Sequence, residues 1–395
     1  MGLDQFTIEF DNPTKSYFPG QNVTGKVVVV CNSNKKIQGL RIKFQGKASV
    51  YWTEQEKETV GSGNNREERT ITRVYENNDT FFDYKFFAAG DDRNDVTIPA
   101  GRNEYPFQFA LPQGLPSSFI GAYGKVSYEV NAVMKRSWKF DHEVKNQFTV
   151  NALADLNNDA GAAQPGELKK TKNLCCLCCA SGPIGYVFKI SRKGYVPGEF
   201  VQIECELQNN SSRNVTGVTL AFVQTSTYYA KGKSRVATKN LSEVKRPGVE
   251  PGDTDIWRGN VLQIPSVPPT KLGNCHLIDV QYQLNLEMSI SGPALNLRGS
   301  LPIIVGTIPF RNNFLELMPQ NNGSCAPSAP PMSAYPDMPP PSYQEAMYFG
   351  PDKPQQTVVD GISNKVVDQV APKGEDYNPK YVTYGWNYPP VSSGQ

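Results

Sequence analysis

Ser16-Tyr17-Phe18-Pro19-Gly20 and Gly194-Tyr195-Val196-Pro197-Gly198 spell one motif twice, with Tyr195 following Tyr17 by 178 positions. A second block keeps that spacing. Ile37-Gln38-Gly39-Leu40-Arg41-Ile42-Lys43-Phe44 returns as Val215-Thr216-Gly217-Val218-Thr219-Leu220-Ala221-Phe222, and Gly217 again follows Gly39 by 178. Two blocks sharing one offset mark the duplication of a whole domain. Within each motif, Pro fixes φ at the first central position of a turn and Gly supplies positive φ at the next. That is a type II turn leading into a strand.

Outward from these turns the chain reads as short strands of period two. Leu40, Ile42 and Phe44 alternate with Arg41, Lys43 and Gln45, and Val126, Tyr128 and Val130 with Ser127, Glu129 and Asn131. The second copy repeats the habit: Val201, Ile203, Cys205 and Leu207 against Gln202, Glu204 and Glu206, then Tyr282, Leu284, Leu286 and Met288 against Gln283, Asn285 and Glu287. Alternation of this kind gives antiparallel sheets with one packed face, and two such faces together make a sandwich. Long helical periodicity is missing. The fold class is therefore all-β, with two tandem β-sandwiches.

The copies differ in length. From Gly39 to Tyr128 is 89 residues and from Gly217 to Tyr282 is 65, so the first copy holds 24 more. The polar stretch from about Thr53 to Asp95 is their expected home, with a turn at Asn77-Asn78-Asp79. Residues 152–182, rich in Ala, Gly, Asn and Asp, read as a linker between sandwiches at 1–151 and 183–316. Residues 317–395, rich in Pro, Ser, Asn, Gly and Gln, read as a disordered tail. A hydrophobic content of 38% is low for a fully packed chain of 395 residues, which agrees with such a tail.

Lys+Arg 40 against Asp+Glu 38 leaves a formal charge of +2, a balance that does not point to nucleic acid. Met1-Gly2-Leu3-Asp4-Gln5-Phe6 has neither the basic region nor the apolar run of a signal peptide, and no stretch is long enough to span a bilayer. Phe6 stands where N-myristoylation wants Ser or Thr. A cytoplasmic location follows as an expectation. The histidines are His142 and His276, one in each copy, and the adjacent Cys275-His276 would point to opposite faces of a strand. No serine elbow, phosphate-binding glycine loop or supported carboxylate pair accompanies them. The reading is of a protein that is not an enzyme, with no catalytic residue, no metal and no cofactor.

Two clusters admit more than one use. Cys175, Cys176, Cys178 and Cys179 crowd five positions next to Lys169, Lys170 and Lys172. They can be taken as palmitoylation sites, as a zinc site short of well-spaced ligands, or as an apolar segment where the linker meets the second domain. Lys231, Lys233, Arg235, Lys239 and Lys245-Arg246 read either as an anion site or, with preference, as the solvated face of a strand pair.

The tail is more specific. Pro340-Pro341-Ser342-Tyr343 is a Pro-Pro-x-Tyr sequence: the proline pair presets a polyproline II helix for an aromatic groove, and the tyrosine fills a neighbouring pocket. This is the ligand chemistry of WW domains.

With these residues in view, the chain resembles the α-arrestins, or arrestin domain-containing proteins. The likeness runs through Phe6–Phe10 with Asp11-Asn12, Tyr17-Phe18-Pro19-Gly20-Gln21, Gly25, Ile37–Leu40, Gly46-Lys47-Ala48 and Trp52. It continues in Leu115-Pro116-Ser117-Ser118-Phe119, Cys175 to Pro183, Tyr195–Gly198, and Trp257 with Ile264-Pro265. The resemblance implies arrestin-type sandwiches in a trafficking adaptor. Its arrestin domains engage membrane receptors or transporters, and its tail recruits a WW-domain HECT ubiquitin ligase. Cargo is then ubiquitinated, endocytosed and sorted, with the protein recruited from cytoplasm to plasma membrane and endosomes as a peripheral component. Pro327-Ser328-Ala329-Pro330 resembles the ligand of the UEV domain of ESCRT-I. Relatives often carry a second Pro-Pro-x-Tyr where this chain reads Asn378-Pro379-Lys380-Tyr381. Two alternatives stand beside the adaptor: a redox-linked regulator that binds thioredoxin through a cysteine, for which Cys275 is better placed than the inward Cys205, and a coat-like sorting subunit.

Overall fold

The structure, a computed structural model, describes residues 3–60, 67–91, 93–137, 140–176, 179–292, 296–311 and 377–384. In the first repeat, β1 (Gln5–Phe10), β3 (Asn22–Cys31) and β8 (Gly101–Ala110) form one sheet in the order β1-β3-β8. Facing it, β2 (Ser16–Tyr17), β11 (His142–Val150), β10 (Gly124–Lys135), β5 (Gly39–Val60) and β6 (Glu67–Gly90) follow one another, with β9 (Phe119–Gly121) paired to β10. A small ladder joins β4 (Lys35–Ile37) to β7 (Val96–Ile98).

The second repeat builds one sheet from β12 (Gly166–Cys176), β13 (Cys179–Ile190), β15 (Phe200–Asn209) and β18 (Thr254–Gln263). Its partner runs β14 (Gly194–Tyr195), β20 (Leu297–Val305), β19 (Ile278–Ile290), β16 (Val215–Ala230) and β17 (Lys233–Pro247). The duplicated motif does the same job in both copies. β2 and β14 each add in parallel to the last strand of their own sandwich, Ser16 against Thr149 and Gly194 against Ile304. Gln21 N–H then donates to Phe18 O across Pro19-Gly20, and Glu199 N–H to Val196 O across Pro197-Gly198. Gly20 and Gly198 take φ of 85° and 95°, the left-handed conformation that the type II turn requires.

Alternation places the core where the sequence puts it. Leu40, Ile42 and Phe44 are fully buried, as are Leu220, Phe222 and Leu284 in the second sandwich. Each core is pinned by a repeat-equivalent tyrosine. Tyr128 Oη donates to Pro116 O at 2.7 Å and Tyr282 Oη to Pro268 O at 2.8 Å. Burial pushes both phenols well above the ordinary tyrosine range, so each keeps its proton and donates. Tyr282→Phe is expected to cost about 1–2 kcal/mol, because it leaves a buried carbonyl without its donor. Urea titration against wild type reads this directly. An unchanged midpoint would mean that the hydroxyl adds nothing to the packing of the ring.

Three expectations are corrected. Asn77-Asn78-Asp79 is no turn: these residues run mid-strand in β6, opposite Val50, Ser49 and Ala48. Within the stretch from Thr53 to Asp95 lie instead the end of β5 and the whole of β6, a hairpin whose register shifts at Leu40/Arg41 and Gly46/Lys47. Residues 166–176, placed in a linker, form the outer strand β12 of the second sandwich. Residues 377–384, placed in a disordered tail, are packed against both domains, with Tyr381 and Val382 buried.

Candidate functional site

The two sandwiches meet along a seam built by chain segments that leave one domain and enter the other. Ser117 N–H donates to Leu272 O, Thr307 N–H donates to Ala154 O, and Asp155 bridges Ile308 in parallel. The side chains of Leu115-Pro116-Ser117-Ser118-Phe119 finish this wall. Ser118 Oγ accepts the Val150 amide at 2.9 Å and Ser117 Oγ the Ala152 amide at 2.8 Å. Both hydroxyls are fully buried, and using them on amides leaves the Ser118 carbonyl facing the seam.

Residues 377–384 lie in this seam as an extended segment. Pro379, Tyr381 and Val382 point inward while Asn378 and Lys380 are exposed. On the first-domain side, Thr149 Oγ1 lies 2.8 Å from Tyr377 Oη and accepts the Lys380 amide at 3.1 Å. Asn151 Nδ2 donates to Lys380 O at 3.2 Å, and Tyr381 Oη donates to Ser118 O at 3.0 Å. On the second-domain side, Ser266 Oγ donates to Tyr381 O at 3.3 Å. The Tyr384 amide donates to Pro197 O at 3.0 Å, and Tyr384 Oη to Thr307 O at 2.7 Å. Tyr384 packs, beside Ile304 and Phe310, against the buried cluster of Leu156, Ala162 and Val196. Burial raises all three phenols, Tyr377 to about 12, and keeps them neutral, Tyr381 and Tyr384 as donors.

A second contact joins the domains at the far end of the sheets. Lys233 Nζ lies 3.0 Å from both Glu54 Oε2 and Glu56 Oε1 and 4.8 Å over the Tyr75 ring. Arg235 sits 4.3 Å over the Tyr123 ring, which is T-shaped to Tyr228 with ring centres 5.6 Å apart. Burial pushes the Glu54 carboxyl up, but hydrogen bonds from Trp52 and Lys233 outweigh it and hold the group below its usual range. Part of the basic run therefore clamps the β5–β6 hairpin rather than coating a free solvated face. Lys245 and Arg246 pair instead with Glu243 and Asp255.

Pro340, Pro341, Ser342 and Tyr343, and likewise Pro327, Ser328, Ala329 and Pro330, lie outside the described residues. The cysteine cluster sits at the tip of the β12–β13 hairpin. Cys175 pairs with Ala180 and Cys176 with Cys179, while Cys178 is outside the described residues. Among the other thiols, Cys31 and Cys205 are buried and Cys275 is half-buried. Burial pushes all three up, Cys205 to about 12. His276 is exposed in the turn before β19, not in a strand. Among the described residues no helix is long and apolar enough to cross a membrane.

Comparison with known proteins agrees with this architecture. The profile of the Arrestin (or S-antigen), N-terminal domain, matches residues 6–157, and that of the Arrestin (or S-antigen), C-terminal domain, matches residues 180–310. Arrestin domain-containing protein 17 of Caenorhabditis elegans is 33% identical over 86% of this chain and 78% of its own length. Arrestin domain-containing protein 4 of Mus musculus is 32% identical over 76% and 71%, and the Mus musculus Thioredoxin-interacting protein 31% identical over 77% and 74%. Two arrestin domains in tandem and relatives matched along most of both chains leave one assignment: the chain belongs to the α-arrestin family of arrestin-like adaptors.

Proposed function

We propose that this protein links membrane receptors or transporters, held by its arrestin sandwiches, to a WW-domain HECT ubiquitin ligase, held by Pro340-Pro341-Ser342-Tyr343. The carrying observation is that motif on a chain of this family, positioned between Arg311 and Tyr377, beyond the last strand of the second sandwich. A WW ligand lies extended along a groove, and a proline pair presets that conformation. On this reading the protein acts at the plasma membrane and endosomes as a peripheral component. Pro327-Ser328-Ala329-Pro330 offers ESCRT-I a further ligand, and the thiols of the β12–β13 tip are taken as acylation sites.

A relative named Thioredoxin-interacting protein keeps the redox alternative in view. A mixed disulfide needs an accessible thiol that ionises readily, and burial works against this at Cys31, Cys205 and Cys275. Cys325 lies outside the described residues; the adaptor reading asks nothing of any of these thiols, so a Cys275→Ser, Cys325→Ser chain is expected to capture the ligase and promote cargo ubiquitination as wild type does. Loss of both with retained folding would hand the function to the redox reading.

A further inference from the structure

We propose that the interdomain seam is an exchangeable peptide-binding site that reads an extended segment with tyrosines at its first, fifth and eighth positions. Residues 377–384 of this chain occupy it in cis. The receptor groups all belong to the body: Thr149, Asn151 and Ser118 from the first domain, Ser266, Pro197 and Thr307 from the second. Ser118, Pro197 and Thr307 present carbonyl oxygens, so the site asks its ligand for donors. Two tyrosine hydroxyls and one amide supply them.

The site is specific to the second repeat's turn. Gly198 has φ of 95°, and a Cβ there would overlap the Tyr384 carbonyl. At the equivalent Gly20 the atoms nearest such a Cβ belong to the Gln113 side chain. The seam is thus shaped around a guest backbone at one copy of a duplicated motif and not at the other.

Occupancy by the tail is a question of tethering. Residues 312–376, 65 in all, join the last described residue of the body to the docked segment. Covalent connection makes docking intramolecular, and a flexible connection gives an effective concentration on the order of 1 mM. A segment that binds in trans with a Kd of about 10–100 μM would then be docked most of the time, yet leave readily. Phosphorylation of Tyr381 would add a charge of about −1.5 to −2 against carbonyl oxygens in a buried pocket, which that pocket cannot accept. The site reads the unmodified tyrosine. Because the segment touches both domains, its release also removes a strap across the seam. If the adaptor reading holds, release further frees one of the two ends that tether Pro340–Tyr343.

The test uses full-length protein and a fluorescent peptide of residues 375–386. Tyr381→Ala chains, whose own tail has lost its anchor, should bind the peptide at least tenfold more tightly than wild type, whose seam is filled. A phosphotyrosine-381 peptide should bind at least tenfold more weakly than the plain one, and a Tyr381→Phe peptide about three- to tenfold more weakly. Binding to neither chain, or to both alike, overturns the proposal, as does a phosphopeptide that binds as well as the plain one. Should Tyr381→Ala fail to fold, hydrogen exchange on wild type decides. Lys380 and Tyr384 amides protected more than a free peptide but less than Tyr282 support an exchangeable guest. Protection equal to the core, or none, overturns it. No arm involves the ligase, so failure here is separable from failure of the adaptor function.

Discussion

Tyr343→Ala in the full-length chain is expected to reduce capture of a WW-domain HECT ligase about thirtyfold, and cargo ubiquitination with it. The magnitude follows from the physics of the motif. Pro340-Pro341 enters the aromatic groove already in the extended helix, so its ordering cost is small and survives the substitution. The tyrosine fills the second pocket, and a buried aromatic anchor in a short interface costs about 2 kcal/mol when truncated, which is the thirtyfold. Ser342 is the spacer, and Ser342→Ala should leave capture within about twofold. The other tyrosine of comparable context cannot stand in. Tyr381 lacks the preceding proline pair, and while the segment is docked its hydroxyl is bound to Ser118 O in the seam. Pull-down of wild type, Tyr343→Ala and Ser342→Ala from cells, with quantified ligase and ubiquitinated cargo, measures all of this. Equal recovery by wild type and Tyr343→Ala would end the assignment of the ligase site to this motif.

Much of the fold was legible because a buried face leaves a period-two imprint. Leu40-Arg41-Ile42-Lys43-Phe44 shows the imprint, and its apolar members are fully buried. The duplicated Pro-Gly turns were legible because only Gly accepts their positive φ. What escaped lies where tertiary partners override local preference. Asn77-Asn78-Asp79 has turn chemistry, yet β5 offers it a ladder along an exposed edge, where polar residues cost little. Lys169-Lys170-Thr171-Lys172 looked like linker, but lysines on an outer strand are how sheets blunt an edge. Lys231, Lys233 and Arg235 read as a wet face because nothing in one hairpin announces Glu54 and Glu56 on another domain.

The seam was the least legible part. Its only trace is three tyrosines at 377, 381 and 384 with Pro379 and Val382 between them, an apolar face too short to stand above its polar surroundings. Leu115-Pro116-Ser117-Ser118-Phe119 carried the resemblance, and the geometry supplies its reason. Two serines satisfy amides, and two carbonyls, of Pro116 and Ser118, receive Tyr128 and Tyr381.

The remaining large effect is at Glu199, where the repeats diverge in charge. At the equivalent place in the first copy, Gln21 Oε1 accepts the Phe18 amide at 2.9 Å; in the second, Glu199 Oε2 accepts the Val196 amide at 2.9 Å. The turn thus needs an acceptor and not a charge. Glu199 spends its second oxygen on Arg192 Nη2 at 3.1 Å, with only 1% of its side chain exposed. The Arg192 guanidinium in turn lies 4.7 Å over the Tyr195 ring and 5.4 Å over Phe310, closing the apolar pocket that receives Tyr384. Glu199→Ala strips a buried amide of its acceptor and Arg192 of this carboxylate together, and is expected to cost about 3–5 kcal/mol. Glu199→Gln keeps the turn bond as Gln21 does, loses only the charge, and should cost less than half as much. Arg192→Met with Glu199→Gln removes both charges and should recover part of even that loss, because desolvating the pair is itself unfavourable. Chemical denaturation of wild type and the three variants ranks these losses, and Arg192→Met alone completes the cycle with Glu199→Gln. If Glu199→Gln is as damaging as Glu199→Ala, the ion pair and not the turn bond carries the stability, and the equivalence drawn between Gln21 and Glu199 fails.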